Sequence, residues 1–461
     1  MLLLLSGACA SGQPVRLLRS LVHPVTSIDP ADEDFSDLEF LKTSLHDKRI
    51  VLLGEGTHHD GSALQARNRM IRFLHREMGF GVLLLESSFF GIDRMARDVA
   101  EGKADWARGL GLANLGSMLR TGGAGIYAHD EELATYLERA WAGERPLYLG
   151  GIDPAGIHVY DNAWVDDLEG YLRTLLPDFK RSAAYRDFET LSLKGVFYQN
   201  DDAAKNRLNR AIEKDLDLDA LRRAGQALRE LILQRMPTLP APQSRRGQFF
   251  ARAIVNHLAY WEWKQQQITA GPFEHSFDEH ALRDRYMAEN VRWFLEQYFP
   301  HQKIIIAASA YHIGRNFQQI EPRPSRIGPA SIPLGQLLTE DYRDSLYAIT
   351  FLHHRGRRGI QLYPNDPPEE KLEPRAKRGL ETQLSKVPYP YAFVDLSDPA
   401  VRQQLGKTTI NLFFENTTAQ WSNHFDGFFF IRELEPVRVQ WRRAWMKKRP
   451  PYYPRETWYR R

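Results

Sequence analysis

The segment "GEGTHHD", from Gly54 to Asp60, carries a glutamate and two histidines on one glycine-flanked turn. Glu55 lies three residues before His58, close enough for its carboxylate to orient the imidazole. A neutral imidazole held by a carboxylate is a competent general base near neutral pH. The spacing therefore predicts proton-transfer chemistry with His58 as the base, while His59 points the other way and contributes to the rim of a substrate pocket.

Further ionisable side chains follow other predicted strands. Continuous apolar runs predict six strands buried on both faces, over residues 49–54, 81–86, 146–153, 303–313, 346–352 and 427–434. Glu86 closes the second run, Asp153 closes the third, and His312 lies in the fourth. Because ligands bind beyond the carboxyl ends of parallel strands, we expect these three side chains to meet Glu55 and His58 at one rim.

The elements between these runs predict an α/β fold, with a central, mostly parallel sheet flanked by helices. The first two strands are joined by a helix whose capping box begins at Ser62 and whose left-handed end falls at Gly79. Helical periodicity over residues 164–176, 218–236 and 248–267 predicts a helical insertion, residues 155–267, that forms a cap over the strand carboxyl ends.

Two other interpretations of the polar cluster stay open. Asp153 could cap the helix that follows it, and His312 could be a core histidine bonded to a backbone carbonyl. Alternatively, Glu55, His58, Glu86 and His312 could bind a divalent metal, since hydrolytic zinc sites use such ligands. A serine-nucleophile elbow, a P-loop and a dinucleotide fingerprint are all missing at the strand ends.

Composition indicates a soluble, globular chain without a nucleic-acid signature. The 461 residues include 61 basic and 58 acidic side chains, and the basic excess is concentrated in a basic aromatic tail, residues 439–461. The single cysteine, Cys9, excludes an internal disulfide and follows a short apolar run that is typical of a truncated lipoprotein signal. We therefore expect export, with Cys9 as a candidate lipid attachment to the membrane; the alternative is a cytoplasmic protein. Residues 1–25 are predicted as signal and linker, and residues 26–438 as the main domain.

Five motifs resemble those of the erythromycin esterase family, in the same order and over nearly the whole chain. They are the region from "LLGEGTHHD" to "VLLLESSF", the helix "RDRYMAENVRWFLEQ", the strand "KIIIAASAYHIGR", the segment "PLGQLLTEDYRDSLYAITF" and the strand "HFDGFFFIREL". The resemblance implies a hydrolase of esters or lactones that acts on a small-molecule substrate without a cofactor, related to macrolide resistance.

The resemblance also implies roles for individual residues. Glu55 and His58 match the family's Gly-Glu-x-x-His pair, and Arg67 and Glu86 match its helix arginine and its strand-closing carboxylate. His312 matches the second histidine of a His-Asn-x-His segment.

The chain departs from that segment, because Ser309 replaces its first histidine. We assign Ser309, together with His59, Asp153 and Arg285 of the "RDRYMAEN" helix, to substrate binding. Three functions follow as hypotheses: a metal-independent esterase, a metal-dependent hydrolase using the same cluster, and an envelope-associated binding protein that has lost catalysis.

Overall fold

The computed structural model describes residues 20–58, 60–104, 106, 131–141, 143–154, 163–176, 178–194, 217–270, 278–325, 327–328, 331–359, 370–372 and 375–437. Its strands are β1 (His23–Val25), β2 (Ile50–Glu55), β3 (Phe80–Ser88), β4 (Tyr148–Asp153), β5 (Lys303–Ser309), β6 (Leu346–Arg358), β7 (Glu370–Lys371), β8 (Tyr391–Asp395), β9 (Lys407–Leu412), β10 (Glu415–Gln420) and β11 (Gly427–Leu434).

Its α-helices, in the same ranges, are α1 (Leu41–Ser44), α2 (Gly61–Met78), α3 (Phe89–Ala100), α4 (Glu131–Trp141), α5 (Trp164–Leu175), α6 (Ala183–Lys194), α7 (Leu218–Arg235), α8 (Ala241–Ala270), α9 (Asp278–Trp293), α10 (Ala310–Ile313), α11 (Leu334–Tyr342), α12 (Leu380–Leu384) and α13 (Pro399–Leu405). None of the helices in these ranges combines the length and apolar character that a membrane crossing needs.

One large sheet organises the chain, with the strand order β1–β8–β11–β6–β2–β5–β3–β4 and β7 paired to β6. The six strands from β11 to β4 run parallel, β8 is antiparallel to β11, and β1 is antiparallel to β8. The predicted fold class, an α/β fold with a mostly parallel sheet, is confirmed. Since β5 lies between β2 and β3, the carboxyl ends of these three strands are neighbours.

Alternate residues of the central strands pack into two separate core layers. In β2, Ile50 and Leu52 belong to the layer that contains α8 and α9, whereas Val51 and Leu53 belong to the layer that contains α2. Successive side chains of a strand point to opposite faces. The strands are therefore buried on both sides, which explains their continuous apolar sequences.

The same alternation sends the two strand-closing glutamates to opposite faces of the sheet. Glu55 follows Leu53 at a spacing of two and continues the face that α2 covers. Glu86 follows Leu84 at the same spacing and continues the face that α8 and α9 cover. Polar partners for the two carboxylates must therefore come from different helices.

The helix α2 ends as predicted and begins differently. Gly79 adopts the left-handed conformation at its carboxyl end, with φ 73°. The predicted capping box at Ser62 is wrong: the helix begins at Gly61, and Asp60 occupies the N-cap position. The Ser62 hydroxyl instead accepts a hydrogen bond from the Glu435 backbone N–H at 2.9 Å. A tertiary contact with the exit of β11 thus replaces the local cap.

Other differences from the predicted elements lie in short or polar segments. The strand predicted over 303–313 ends at Ser309, where the chain turns into α10. The long helix α8 begins at Ala241, before the helical periodicity predicted from residue 248. Pro242 fits in its first turn, where no backbone N–H is required. The edge strand β1, its neighbour β8 and the polar hairpin β9–β10 were not predicted.

Gly54 shows how closely β2 packs against α10, and it provides a stability test. A Cβ at Gly54 would lie 2.5 Å from Ile313 Cδ1 and 2.9 Å from Ala310 Cα. Gly54→Ala should lower the free energy of unfolding by about 1–3 kcal/mol in urea titrations, as overpacking does. Gly170→Ala is the control: this exposed position in α5 has no atom within 4 Å of an added Cβ, so stability should rise by roughly 0.5–1 kcal/mol. Equal effects at both positions would contradict the packing.

Candidate active site

Glu55, His58 and Arg67 form one half of a polar cluster beyond the strand ends. Glu55 Oε1 lies 3.1 Å from His58 Nδ1, and Glu55 Oε2 accepts a hydrogen bond from Arg67 Nη1 at 3.2 Å. Glu55 and Arg67 are completely buried. A buried carboxylate needs a compensating charge, and Arg67, from the second turn of α2, supplies it. The structure thus brings together the three residues that the first motif contributed.

His58 is the accessible member of this half. Its side chain is 34% exposed, and Glu55 is its one hydrogen-bond partner among the residues described. The partner of one ring nitrogen determines which tautomer is favoured. Donation from Nδ1 to Glu55 leaves Nε2 with a lone pair that can accept a proton.

Asp60 fixes the turn that carries His58. Its carboxylate accepts hydrogen bonds from the Thr57 backbone N–H at 3.1 Å and from the Thr57 hydroxyl at 2.9 Å. Burial raises the pKa of Asp60 to about 6, against the opposing effects of Thr57 and the Arg358 guanidinium. No role was predicted for Asp60 from the sequence, although an aspartate directly before a helix is a common N-cap signal.

Glu86 is the centre of the second half. Its Oε1 accepts from Arg283 Nη2 at 3.0 Å and lies 3.1 Å from His312 Nε2, and its Oε2 accepts from the Ser309 backbone N–H at 2.8 Å. Burial acts to raise the pKa of Glu86, but the charges on His312 and Arg283 outweigh it and hold that pKa well below its usual value. Glu86 is therefore an ionised carboxylate.

His312 is a buried cation between two carboxylates. Its Nδ1 lies 2.8 Å from Asp284 Oδ1, and its Nε2 faces Glu86. Burial acts to lower the pKa of His312, whereas Asp284 and Glu86 together raise it to about 10. At neutral pH both ring nitrogens are protonated, so His312 has no lone pair to accept a proton. Its contacts hold Glu86 in place.

Arg283 joins Asp153 to this second half. Its Nε donates to the two carboxylate oxygens of Asp153 at 3.1 and 3.0 Å. Arg283 Nη1 also lies 3.1 Å from His312 Nε2, so two cations are in contact. The surrounding carboxylates of Glu86, Asp153 and Asp284 offset their repulsion. Asp153 is buried and serves to position Arg283.

Arg285, assigned to substrate binding from the sequence, does not reach this cluster. Its side chain is 52% exposed and lies 3.7 Å from Glu262. Two residues along a helix correspond to a rotation of about 200°, so Arg283 faces the sheet while Arg285 faces away. Arg283 and Asp284 begin the "RDRYMAEN" motif, and no site role was predicted for either of them from the sequence. The Arg-Asp pair at the start of that motif was the available signal.

Ser309 lies between the two halves. Its Cα is paired with Glu55 in the β2–β5 ladder, and its backbone N–H bonds Glu86. A protonated His58 would lower the pKa of Glu86, so the two halves can act on each other electrostatically. His59 lies outside the described residues.

The side chains of this cluster bind mainly to one another. In the part of the chain that the structure describes, no group of three His, Cys, Asp or Glu side chains could hold a metal ion. Glu55 and Glu86 are each bound to an arginine, and both nitrogens of His312 face carboxylates. The fold and the cluster thus define an α/β protein with a carboxylate-oriented histidine at the carboxyl ends of its central strands.

Comparisons with known proteins show the family to which the chain belongs. The erythromycin esterase family model matches residues 75–434. A Bacillus subtilis (strain 168) protein named "Putative hydrolase YbfO" is 24% identical over 429 residues, covering 89% of this chain and 89% of that protein. "Erythromycin esterase type II" from Escherichia coli is 23% identical over 362 residues, covering 74% and 77%.

A solved structure shares the fold. The open conformation of a mutant of the erythromycin esterase EreC has a TM-score of 0.64 at 16% identity, covering 91% of this chain and 99% of that one. The chain belongs to the erythromycin esterase family and is a hydrolase of that type. The match to the family model begins at residue 75, after the turn that carries Glu55 and His58. The role of that turn is therefore inferred from its contacts in the structure.

Asp60 gives a pH test of the turn. Because its folded pKa is raised from 3.8 to about 6, its contribution to stability is fully present below pH 4 and is lost as pH rises to 6. The unfolding free energy of the wild type, relative to Asp60→Asn, should fall by up to about 3 kcal/mol between pH 4 and pH 7. Chemical denaturation of both proteins across this range measures it. A difference that does not change with pH would show that Asp60 is not a buried, desolvated carboxyl group.

Proposed function

We propose that this chain hydrolyses a carboxylic ester or lactone bond with a water molecule that His58 activates. The observation that carries the proposal is the partly exposed His58 imidazole, whose Nδ1 is held by the buried Glu55 carboxylate. A histidine in this setting has both the orientation and the access to solvent that a general base requires.

The reaction would proceed in two steps. His58 Nε2 takes a proton from water while the water oxygen attacks the carbonyl carbon, giving a tetrahedral intermediate and a protonated His58. The carbon–oxygen bond to the leaving group then breaks, and His58 returns its proton to that oxygen. The products are a carboxylic acid and an alcohol, and His58 is neutral again.

Carboxylates lie close to the positive charge that His58 would carry in the tetrahedral intermediate. Glu55 lies against its Nδ1, and the electrostatic interaction with Glu86 is also favourable when His58 is protonated. Arg67 binds Glu55, and Arg283 and His312 bind Glu86, so both carboxylates are held in place. We therefore assign His58 as the catalytic base, and the arginines, His312 and Asp153 as positioning residues.

The substrate is a small molecule, and the helices of residues 155–267 are proposed to cover it. Support for this cap comes from α8, whose Asn256 and Tyr260 share a cleft with Asp153 at the end of β4. Ser309 stands where the resemblance implies an imidazole, so we expect macrolides to be poorer substrates than simple esters. Cys9 and residues 439–461 lie outside the described residues, and export with membrane attachment through Cys9 stays a prediction.

Replacement of His58 tests the proposed role. His58→Ala should lower kcat/KM by about 10²- to 10⁴-fold on any ester that the wild type cleaves, because that is the usual contribution of a general base. The assay is a panel of simple esters, lactones and macrolides, followed by pH-stat titration of the acid released. His301→Ala, at an exposed position, is the matched control and should keep full activity. Unchanged turnover by His58→Ala would contradict the assignment.

Chelator treatment separates this proposal from a metal-dependent hydrolase that uses the same cluster. Activity should survive dialysis against a strong chelator, and added divalent ions should not increase it. Loss of activity that zinc or another divalent ion restores would support the alternative.

A further inference from the structure

Few charged side chains of the active-site cluster can touch a bound substrate, because most of them are buried. The His58 side chain is 34% exposed, and the Arg283 side chain is 16% exposed. The other two cations of the cluster, Arg67 and His312, are 0% and 5% exposed. Arg283 is therefore the most accessible of these three cations to a ligand that binds beside His58.

The three nitrogens of the Arg283 guanidinium have different partners. Its Nε donates to both carboxylate oxygens of Asp153, and its Nη2 donates to Asp153 and, at 3.0 Å, to Glu86 Oε1. For Nη1, the one hydrogen-bonding contact among the residues described is His312 Nε2, at 3.1 Å. Two nitrogens of Arg283 are thus bound to carboxylates, and the third meets another cation.

The His312 ring cannot accept a hydrogen bond from Arg283. Its Nδ1 lies 2.8 Å from Asp284 Oδ1 and its Nε2 lies 3.1 Å from Glu86 Oε1, so both ring nitrogens face carboxylates and carry protons. A protonated ring nitrogen is a donor only. The hydrogens of Arg283 Nη1 therefore have no acceptor in the described ranges, and a largely buried donor without an acceptor is costly. A negatively charged oxygen beside Nη1 would remove that cost.

A chain of contacts across the end of β5 connects Arg283 to His58. Arg283 binds Glu86, and Glu86 accepts a hydrogen bond from the Ser309 backbone N–H at 2.8 Å. Ser309 is paired with Glu55 in the sheet, and Glu55 holds His58. Because β2 and β3 each lie about 4.8 Å from β5, the base and the cation are on either side of one strand end. A carbonyl group above Ser309 can contact both of them.

We propose that Arg283, besides positioning Glu86, donates a hydrogen bond from Nη1 to the carbonyl oxygen of the ester and stabilises its negative charge in the tetrahedral intermediate. As the water oxygen attacks the carbonyl carbon, one electron pair of the C=O bond moves onto that oxygen, and His58 takes a proton from the water. The pair returns when the bond to the leaving group breaks. Preorganised donors of this kind commonly make the largest single contribution to catalysis. The inference rests on the proposed esterase function.

Two identical substitutions on helix α9 test the role of Arg283. Arg283→Lys keeps a positive charge beside Glu86 and Asp153 but replaces the planar guanidinium with a single ammonium group. Its kcat on phenyl acetate should fall about 10²- to 10³-fold, the usual loss for one donor to the oxyanion, with a much smaller change in KM. Arg285→Lys, at a position that is 52% exposed and faces away from the site, is the matched control and should keep full activity. Full activity of a folded Arg283→Lys protein would contradict the proposal.

A thiono ester separates contact with the carbonyl oxygen from positioning of Glu86. O-Phenyl thionoacetate differs from phenyl acetate only in the sulfur that replaces the carbonyl oxygen, and sulfur is a weak hydrogen-bond acceptor. The ratio of kcat/KM for the ester to that for the thiono ester should fall about tenfold to 100-fold in Arg283→Lys, the range for a lost hydrogen bond to a charged group. His58→Ala should lower both rates and leave the ratio unchanged. An equal loss on both substrates in Arg283→Lys would overturn the proposal.

Binding of a tetrahedral anion tests Arg283 without catalysis. Phenyl methylphosphonate and phenyl methanesulfonate have the same shape, but the phosphonate carries a negative charge and the sulfonate is neutral. Calorimetry on the wild type should give a Kd that is lower for the phosphonate by about tenfold or more, and Arg283→Lys should remove most of that difference. Equal affinities in the wild type would overturn the proposal even if Arg283→Lys did not fold. Phosphonate binding that depends on Arg283, in a protein that cleaves no ester, would support the anion contact while the esterase proposal failed.

Discussion

Burial of two carboxylates at the ends of neighbouring strands is the constraint on which this structure depends. Glu55 and Glu86 are both withdrawn from water, and an isolated buried charge would be strongly destabilising. Each carboxylate is therefore bound to an arginine, Arg67 in one case and Arg283 in the other. The helices that supply these arginines pack on opposite faces of the sheet, so the charge requirement of the site also fixes how the two helical layers are attached.

The two halves use the same residue types for different purposes. On the α2 side, the imidazole of His58 stays partly exposed and has one carboxylate partner, which leaves a nitrogen available for proton transfer. On the α9 side, the imidazole of His312 is buried between Asp284 and Glu86, and its raised pKa makes it a permanent cation at neutral pH. The environment of each ring, rather than its chemistry, decides which one can act as a base.

Sequence reasoning predicted the parallel strands because their continuous apolar runs report burial on both faces. It also placed Glu55, Glu86 and His312 at one rim, since side chains that end parallel strands share an edge. It could not distinguish Arg283 from Arg285, because that choice depends on how α9 is rotated against the sheet. The hydrogen bond between the Ser62 hydroxyl and the chain at the exit of β11 could not be predicted either, because it joins residues that are 373 positions apart in the sequence.

The proposed reaction requires that Glu55 hold His58 with its Nε2 ready to accept a proton. The most direct measurement is the 15N NMR spectrum of histidine-labelled protein at a pH where the enzyme is active, with His58 assigned by comparison with His58→Ala. If Glu55 orients His58, the spectrum should show a neutral ring protonated on Nδ1, and that tautomer should be lost in Glu55→Gln. A neutral ring protonated on Nε2, or a spectrum that Glu55→Gln leaves unchanged, would contradict it.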